Sequence, residues 1–433
     1  MKWIAGGAIV SVAFVIVLTA CGSEAGAPGS GLISTKPQDA TSDRGRNGPP
    51  AVDQKPVASK PTTSPRPTAT PSPSLPAAVS PTAAPVPPAD VVFVRDGNLW
   101  LAFVKDGRQI PLAMDGGNSS PKWSPDGRSI VFAHGGGASA ELHVIGADGS
   151  ARRRLMESSS PCAGALCSDP EWSPSGDAIL FTVGRDDNKD GKVDERDVSE
   201  VWLVNADGSN PRKIAEGRNP TWAPEGLRIA FATLGKLEKE IPYRRANAVN
   251  LINRQGKNEW TLVSTNKVPA ELTLGEVKLQ SGVFLLGHPT WSPASKLISF
   301  TAAGHTGMIL TINEKAADLR VLASNYEGGF GRSTWSPKGD WLAYESFPPS
   351  GVKAVGIGGP TVKTPVTIGG AHAGLSALSP TWSPDGGHLA FVQELGGTRY
   401  IATVRADGAG VRELATGNVS EPHWNPKGAT RSD

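Results

Sequence analysis

Between residues 90 and 428 the chain alternates short apolar runs with clusters of turn residues. Runs such as Ser129-Ile-Val-Phe132, Ala178-Ile-Leu-Phe-Thr182, Arg228-Ile-Ala-Phe231, Leu297-Ile-Ser-Phe300, Trp341-Leu-Ala-Tyr344 and His388-Leu-Ala-Phe-Val392 are rich in β-branched and aromatic residues. Such runs, four to eight residues long and bounded by Gly, Pro, Asp and Ser, predict strands. A second strand-like run follows each of several of them, as in Glu141-Leu-His-Val144, Glu200-Val-Trp-Leu-Val204 and Tyr400-Ile-Ala-Thr-Val404. Turns built on Ala-Asp-Gly at Ala147, Ala206 and Ala406 then lead to short fourth runs such as Arg154-Leu155 and Glu413-Leu414.

Each unit opens with one motif. Trp-Ser-Pro-Asp-Gly begins at Trp123 and Trp382, with looser copies at Trp172, Trp222, Trp291, Trp335 and Trp424. The copies are separated by 49, 50, 69, 44, 47 and 42 residues, a blade-like repeat period. Ser-Pro-Asp-Gly carries a type I turn signature, because Ser suits the first position and Pro presets φ at the second. Four turn-linked strands repeated radially predict an all-β fold, a β-propeller of four-stranded blades. A β-sandwich with a recurrent turn is the competing reading, and the regular spacing argues against it. The last copy, Glu421-Pro-His-Trp424, supplies one strand only. Asp90-Val-Val-Phe-Val94, Asn98-Leu-Trp-Leu-Ala-Phe-Val104 and Gln109-Ile-Pro-Leu112 supply the three it lacks. Pairing of these N-terminal strands with the C-terminal one predicts a ring of seven blades with no open edge.

The Trp-x-Pro copies and Ala-Asp-Gly turns resemble the TolB-like (WD-like) β-propeller repeat family, over about Asp90 to Gly428. The resemblance implies the fold. It leaves the function open, because similar blades serve scaffolds, receptors and enzyme accessory domains.

Residues 1–21 read as an export signal. Lys2 precedes an apolar run from Ile4 to Val17, and Leu18-Thr-Ala-Cys21 has the form of a bacterial lipobox, with Cys21 as the lipidation site. An uncleaved anchor or an ordinary signal peptide is the plainer alternative. Acylation at Cys21 predicts an extracytoplasmic protein held to the cell membrane by its N-terminus. Residues 22–89 contain 15 Pro and almost no large apolar residues, so they cannot build a core and read as a disordered tether.

The net charge of +2 gives no electrostatic case for nucleic acid. Of the three Cys, Cys162 and Cys167 remain after lipidation, and an exported compartment predicts a structural disulfide between them. The sharpest chemical signal runs from Asp186 to Asp197. Asp186, Asn188, Asp190, the Lys192 carbonyl, Asp194 and Asp197 fall at EF-hand-like ligand spacing around Gly191, which predicts calcium. Asp197 stands where Glu is usual. A solvated acidic loop with Asx turns is the bland alternative.

The two kinds of tight turn share one face, which leaves the other face for the longer loops. That face carries the calcium loop, the Cys pair, the 233–247 loop, the 265–287 insertion and the Gly-rich 324–332 and 369–378 connections. A polar ring is predicted at the channel mouth there: Ser120, Asp169, Asn219, His288, Arg332, Ser379 and Glu421. Neither a Gly-x-Ser-x-Gly elbow nor His-Glu-x-x-His occurs in the sequence, and the seven His are scattered. The reading is therefore a monomeric binding scaffold for an envelope protein or peptide. An enzyme of lyase, hydrolase or sugar-oxidoreductase type, acting at the channel mouth, is the alternative.

Overall fold

The computed structural model describes residues 89–157, 160–194, 197–235, 246–274, 276–293, 296–326, 328–347, 354–358, 366–368 and 375–428. Cys21, the signal segment and the tether (save Ala89) lie outside them, as do residues 236–245 and 369–374 of two predicted loops. Among the described residues the chain is almost wholly β, with a single three-residue 3-10 turn at Thr265–Lys267.

Five of the sheets have four antiparallel strands. An eight-stranded sheet joins two further sets of four. One set is Asn118–Trp123, Ser129–Gly136, Ser139–Gly146 and Arg153–Arg154, and the other is Leu166–Trp172, Ala178–Arg185, Val198–Asn205 and Arg212–Glu216. The strand pairing that joins them is a single parallel bridge between Ala140 and Leu166. The predicted Arg154-Leu155 strand is reduced to Arg153–Arg154, because the chain turns away early into the disulfide loop. A two-stranded hairpin, Glu271–Leu274 with Val277–Gln280, occupies the 265–287 insertion.

The N-terminal strands Val91–Arg95, Asn98–Ala102 and Gln109–Ala113 pair in order, and Val91–Arg95 pairs on its other side with Val419–Trp424. Backbone bonds reinforce this seam. Asn425 donates its N–H to the Asp90 carbonyl (2.7 Å) and its side-chain amide to the Ala89 carbonyl (3.0 Å). The Asp90 carboxylate accepts the Val104 N–H at 2.7 Å.

Every Trp motif lies at the end of the innermost strand of its set, and in six copies the turn that follows closes as its sequence requires. Gly127, Gly176, Gly226, Gly339, Gly386 and Gly428 each donate to the carbonyl three residues back, at 2.8–2.9 Å. The Trp side chains join one set to the next. The indole N–H groups of Trp123, Trp172, Trp222, Trp335 and Trp382 donate to the carbonyls of His423, Lys122, Glu171, Thr290 and Thr334. In each case the acceptor is the residue just before the preceding Trp motif. The motif thus supplies a turn, a buried apolar surface and an intersheet donor at once. It also runs through the chain's ends, since Trp123 bonds to His423.

Between the sheets lie fully buried rings from equivalent strands: Phe93, Phe132, Phe181, Phe231, Phe300 and Phe391. Cys162 and Cys167 form the predicted disulfide. Both are buried, in a cluster with Leu155, Met156 and Ala165 that seals the gap between the two halves of the eight-stranded sheet.

Candidate functional site

The innermost strands share one irregularity. Each antiparallel register slips just before the Trp: between Ser119 and Lys122, Ser168 and Glu171, Arg218 and Thr221, Gly287 and Thr290, Phe330 and Ser333, and Leu378 and Thr381. The closing strand slips in the same way opposite Val92 and Val94. At six of these bulges the chain reads x-Pro-x-Trp, where Pro has no N–H to lose from the ladder. The residue before that Pro is left-handed: Ser120 (φ 52°), Asp169 (50°), Asn219 (51°), His288 (48°), Ser379 (53°) and Glu421 (52°). These are six of the seven predicted ring residues. A non-Gly residue held there costs about 1–3 kcal/mol, so it persists only where its surroundings fix it. Arg332 is the exception. Ser333 follows it in place of Pro, and its φ is not left-handed.

The structure brings most of the ring together. The Glu421 carboxylate accepts the Ser120 N–H at 2.7 Å, with the Ser120 hydroxyl at 3.4 Å. The Arg332 guanidinium donates to Asp169 Oδ1 at 2.6 Å, although 163 residues separate them. Glu345, from the neighbouring strand Leu342–Phe347, accepts the Arg332 N–H (3.1 Å) and the Ser379 N–H (2.8 Å). A Cβ at Gly331 would strike the Glu345 carboxylate, so Gly is required for this approach. Asn219 shares the left-handed backbone but none of these bonds.

A second tier was not anticipated from the sequence. It is the residue immediately before each Trp: Lys122, Glu171, Thr221, Thr290, Thr334, Thr381 and His423. Two positions beyond the bulge residue, the side chains of Glu171, Thr221, Thr381 and His423 tie adjacent sets together. Glu171 accepts the Trp222 N–H at 3.2 Å and the Thr221 hydroxyl at 3.3 Å. His423 Nδ1 accepts the Trp123 N–H at 3.3 Å, and the Thr381 hydroxyl accepts the Trp424 N–H at 3.2 Å. Alternation along a strand whose other face carries the Trp would have flagged these positions.

The electrostatics follow from crowding these groups around one axis. Burial pushes the Glu171 carboxyl up to about 7 against its hydrogen bonds and the Lys122 charge. Burial also lowers the Lys122 ammonium, with Arg332 adding to the effect and Glu421, Asp169 and Glu171 opposing it. His288 falls to about 3 through burial and then the charges of Arg332 and Arg218, so it is neutral near pH 7. His423 is likewise held well below its usual range, first by burial. Burial raises Asp169, but the charge and hydrogen bond of Arg332 more than offset that and leave its carboxyl below the usual range. Asp169 and Arg332 still expose 26% and 49% of their side chains, so protein surrounds the pair without sealing it from solvent.

The 186–197 loop lies elsewhere, between the paired strands Ala178–Arg185 and Val198–Asn205. The Asp186 carboxylate accepts the Asp190 and Gly191 N–H groups (3.1 and 2.8 Å), and Asn188 Oδ1 accepts the Asp190 N–H (2.9 Å). Asp190 Oδ1 accepts the Lys192 N–H at 3.0 Å. Asp197 is fully buried and accepts the Asp187 and Asp194 N–H groups. Among the described residues, no group of three or more His, Cys, Asp or Glu is arranged to hold a metal ion. Glu195 and Arg196, inside this loop, fall outside those residues.

The sheets and their inner ring of motif-bearing strands define the fold class, an all-β propeller. No family model and no curated protein matches the chain. Solved structures do. An oligogalacturonate lyase in complex with manganese is similar at 11% identity and TM-score 0.53, covering 70% of this chain and 81% of that one. A prolyl endopeptidase is similar at 13% identity and TM-score 0.50, covering 77% of this chain but 50% of that one, so the similarity spans half of its length. TolB from Acinetobacter baumannii is similar at 14% identity and TM-score 0.44, covering 78% and 83%. At these identities the likeness establishes the fold alone.

Proposed function

We propose that this chain is a lipid-anchored propeller of the bacterial cell envelope, a closed ring of seven four-stranded blades that binds an envelope protein or peptide at its channel mouth. The observation that carries the reading is the ring itself. Six strained backbone positions recur at one level and present polar side chains to a common axis, where Arg332 and Asp169 meet. In-cell photo-crosslinking from the loop face, with the turn face as control, tests it. A partner captured through the turn face instead would refute it.

The anchoring rests on Leu18-Thr-Ala-Cys21. Cys21→Ser is expected to move the protein from the membrane to the soluble fraction or leave it unprocessed. Unchanged acyl labelling would remove this part of the proposal.

The 186–197 loop is proposed to bind calcium through Asp186, Asn188, Asp190, the Lys192 carbonyl, Asp194 and Asp197. Gly191 at φ 85° supplies the sharp bend that such a loop needs. In an exported protein a Kd of about 10⁻⁴ to 10⁻³ M would suffice. Bound at ten times Kd, calcium would stabilise the fold by about 1.4 kcal/mol. Calorimetric titration should show calcium heats in the wild type that Asp190→Ala loses, with magnesium giving little in either. Equal calcium heats in both would identify the loop as a solvated acidic turn.

One observation favours the enzymatic alternative. Glu171, held at about 7 beside Lys122, is a carboxyl able to exchange a proton near neutral pH.

A further inference from the structure

The Asp169–Arg332 pair crosses the ring. On one side the two inner strands Arg218–Trp222 and Leu285–Trp291 separate Leu166–Trp172 from Gly329–Trp335. On the other side the three strands Leu375–Trp382, Val419–Trp424 and Asn118–Trp123 do so. The 2.6 Å contact therefore joins nearly opposite walls of the mouth. Arg332 is also the single ring position freed from the x-Pro conformation, which leaves its backbone ordinary and its long side chain able to reach across.

We propose that the Arg332 guanidinium is a built-in occupant of a cation-binding site at the channel mouth, which takes a guanidinium or ammonium group of a ligand in its place. The proposal rests on the reading of the ring as the binding site and adds the chemistry of what it binds. Three carboxylates, Asp169, Glu345 and Glu421, act on the guanidinium. The oxygens of two of them are aimed by backbone: Glu421 by the Ser120 N–H, and Glu345 by the Arg332 and Ser379 N–H groups. Acceptors fixed in this way need no reorganisation to receive a cation. Glu171, raised by burial to about 7, adds a carboxyl that is only partly ionised near neutral pH. The neighbouring cations are Lys122, which makes no ion pair among the described residues, and Arg218, which acts on His288. With Arg332 swung out, acid predominates, and the empty position already fits a guanidinium.

The half-exposed pair is open to exchange, since ion pairs in contact with water are weakly held. A tethered Arg is nonetheless an intramolecular competitor at millimolar or higher effective concentration, which lowers the apparent affinity of any free ligand. The cation has two possible sources: a small organic cation, or a Lys or Arg side chain displayed on a peptide.

The test uses the full chain as wild type, Arg332→Ala, and Arg332→Ala with Asp169→Asn, each checked for an intact melting transition. The calorimetric probes are methylguanidinium, N-acetyl-arginine amide, an Arg-centred hexapeptide and the neutral N-acetyl-norleucine amide. If Arg332 fills the site about nine-tenths of the time, Arg332→Ala should bind the arginine amide about tenfold tighter than wild type. Adding Asp169→Asn should abolish that gain, and the neutral amide should not bind. Tighter binding of the hexapeptide than of the amide identifies a protein side chain as the source, and equal binding identifies a small cation. Should Arg332→Ala fail to fold, Asp169→Asn in the wild-type background serves instead and should weaken arginine-amide binding. Folded Arg332→Ala that binds no cationic probe, or binds it no better than wild type, overturns the proposal. If crosslinks from the loop face persist in that case, the cation chemistry fails while the ring remains the binding site.

Discussion

Deleting residues 90–113 is expected to abolish cooperative folding of the propeller, whereas deleting 22–85 should leave its melting temperature unchanged. The first deletion removes Val91–Arg95, Asn98–Ala102 and Gln109–Ala113, so that Val419–Trp424 remains as a lone strand. It strips out Val91, Val92, Phe93, Leu99 and Ala102, all at most 1% exposed. Burying one large apolar side chain contributes about 1.5–3 kcal/mol. Losing several at once exceeds much of the roughly 5–15 kcal/mol that keeps a protein of ordinary stability folded. The deletion also takes away the Asp90 carbonyl, leaving the Asn425 N–H without its acceptor in the seam. Two unpaired edges would then flank the gap. The second deletion removes Pro-rich chain with few large apolar residues, which the sequence reads as a tether outside the core. Thermal melts followed by circular dichroism distinguish these outcomes. Identical melting of the two truncations would show that the N-terminal strands do not close the ring.

The Trp motif made this seam legible in advance. One residue type meets several physical demands there, so it recurs at readable spacing. Trp buries a large surface and offers a single donor, Pro and Gly fix the turn, and in five copies the donor finds the equivalent carbonyl in the preceding set. The buried indole N–H groups of Trp291 and Trp424 have no protein partner among the described residues. The N-terminal strands could be placed because the last motif, Glu421-Pro-His-Trp424, needed three partners, and Asp90–Leu112 held three apolar runs. The observed strands differ from those runs only at their ends. The disulfide was legible for a similar reason, since two Cys five residues apart in one small loop have few other fates.

The site was legible only in outline. The ring positions followed from the repeat, but their left-handed backbone did not, because a residue before Pro ordinarily favours extended conformations. The contact between Asp169 and Arg332 links copies three apart, and no periodicity announces a pairing across the axis. Its nearest sequence signal is the missing Pro after Arg332. The tier from Lys122 to His423 was overlooked because its side chains vary from Lys to Glu, Thr and His. What they share is a position beside the Trp, and the inward direction of that position is set by the bulge. The 186–197 loop stands apart. Its ligand spacing was the clearest motif in the chain, yet in the structure its carboxylates accept hydrogen bonds from their own backbone.

The binding face can be tested within one inner strand, because Gly329–Trp335 has both faces of the propeller at its ends. Tyr326, 76% exposed, precedes the strand on the loop face, and the exposed Lys338 lies in the tight turn that follows it. A benzophenone amino acid replaces Tyr326 with little change of shape, and the same photoreactive residue at Lys338 is the control. With both variants membrane-located and folded, irradiation of intact cells should give a discrete crosslinked partner from position 326 and none from 338. A partner captured equally from 338, or from 338 alone, would contradict a binding site at the channel mouth.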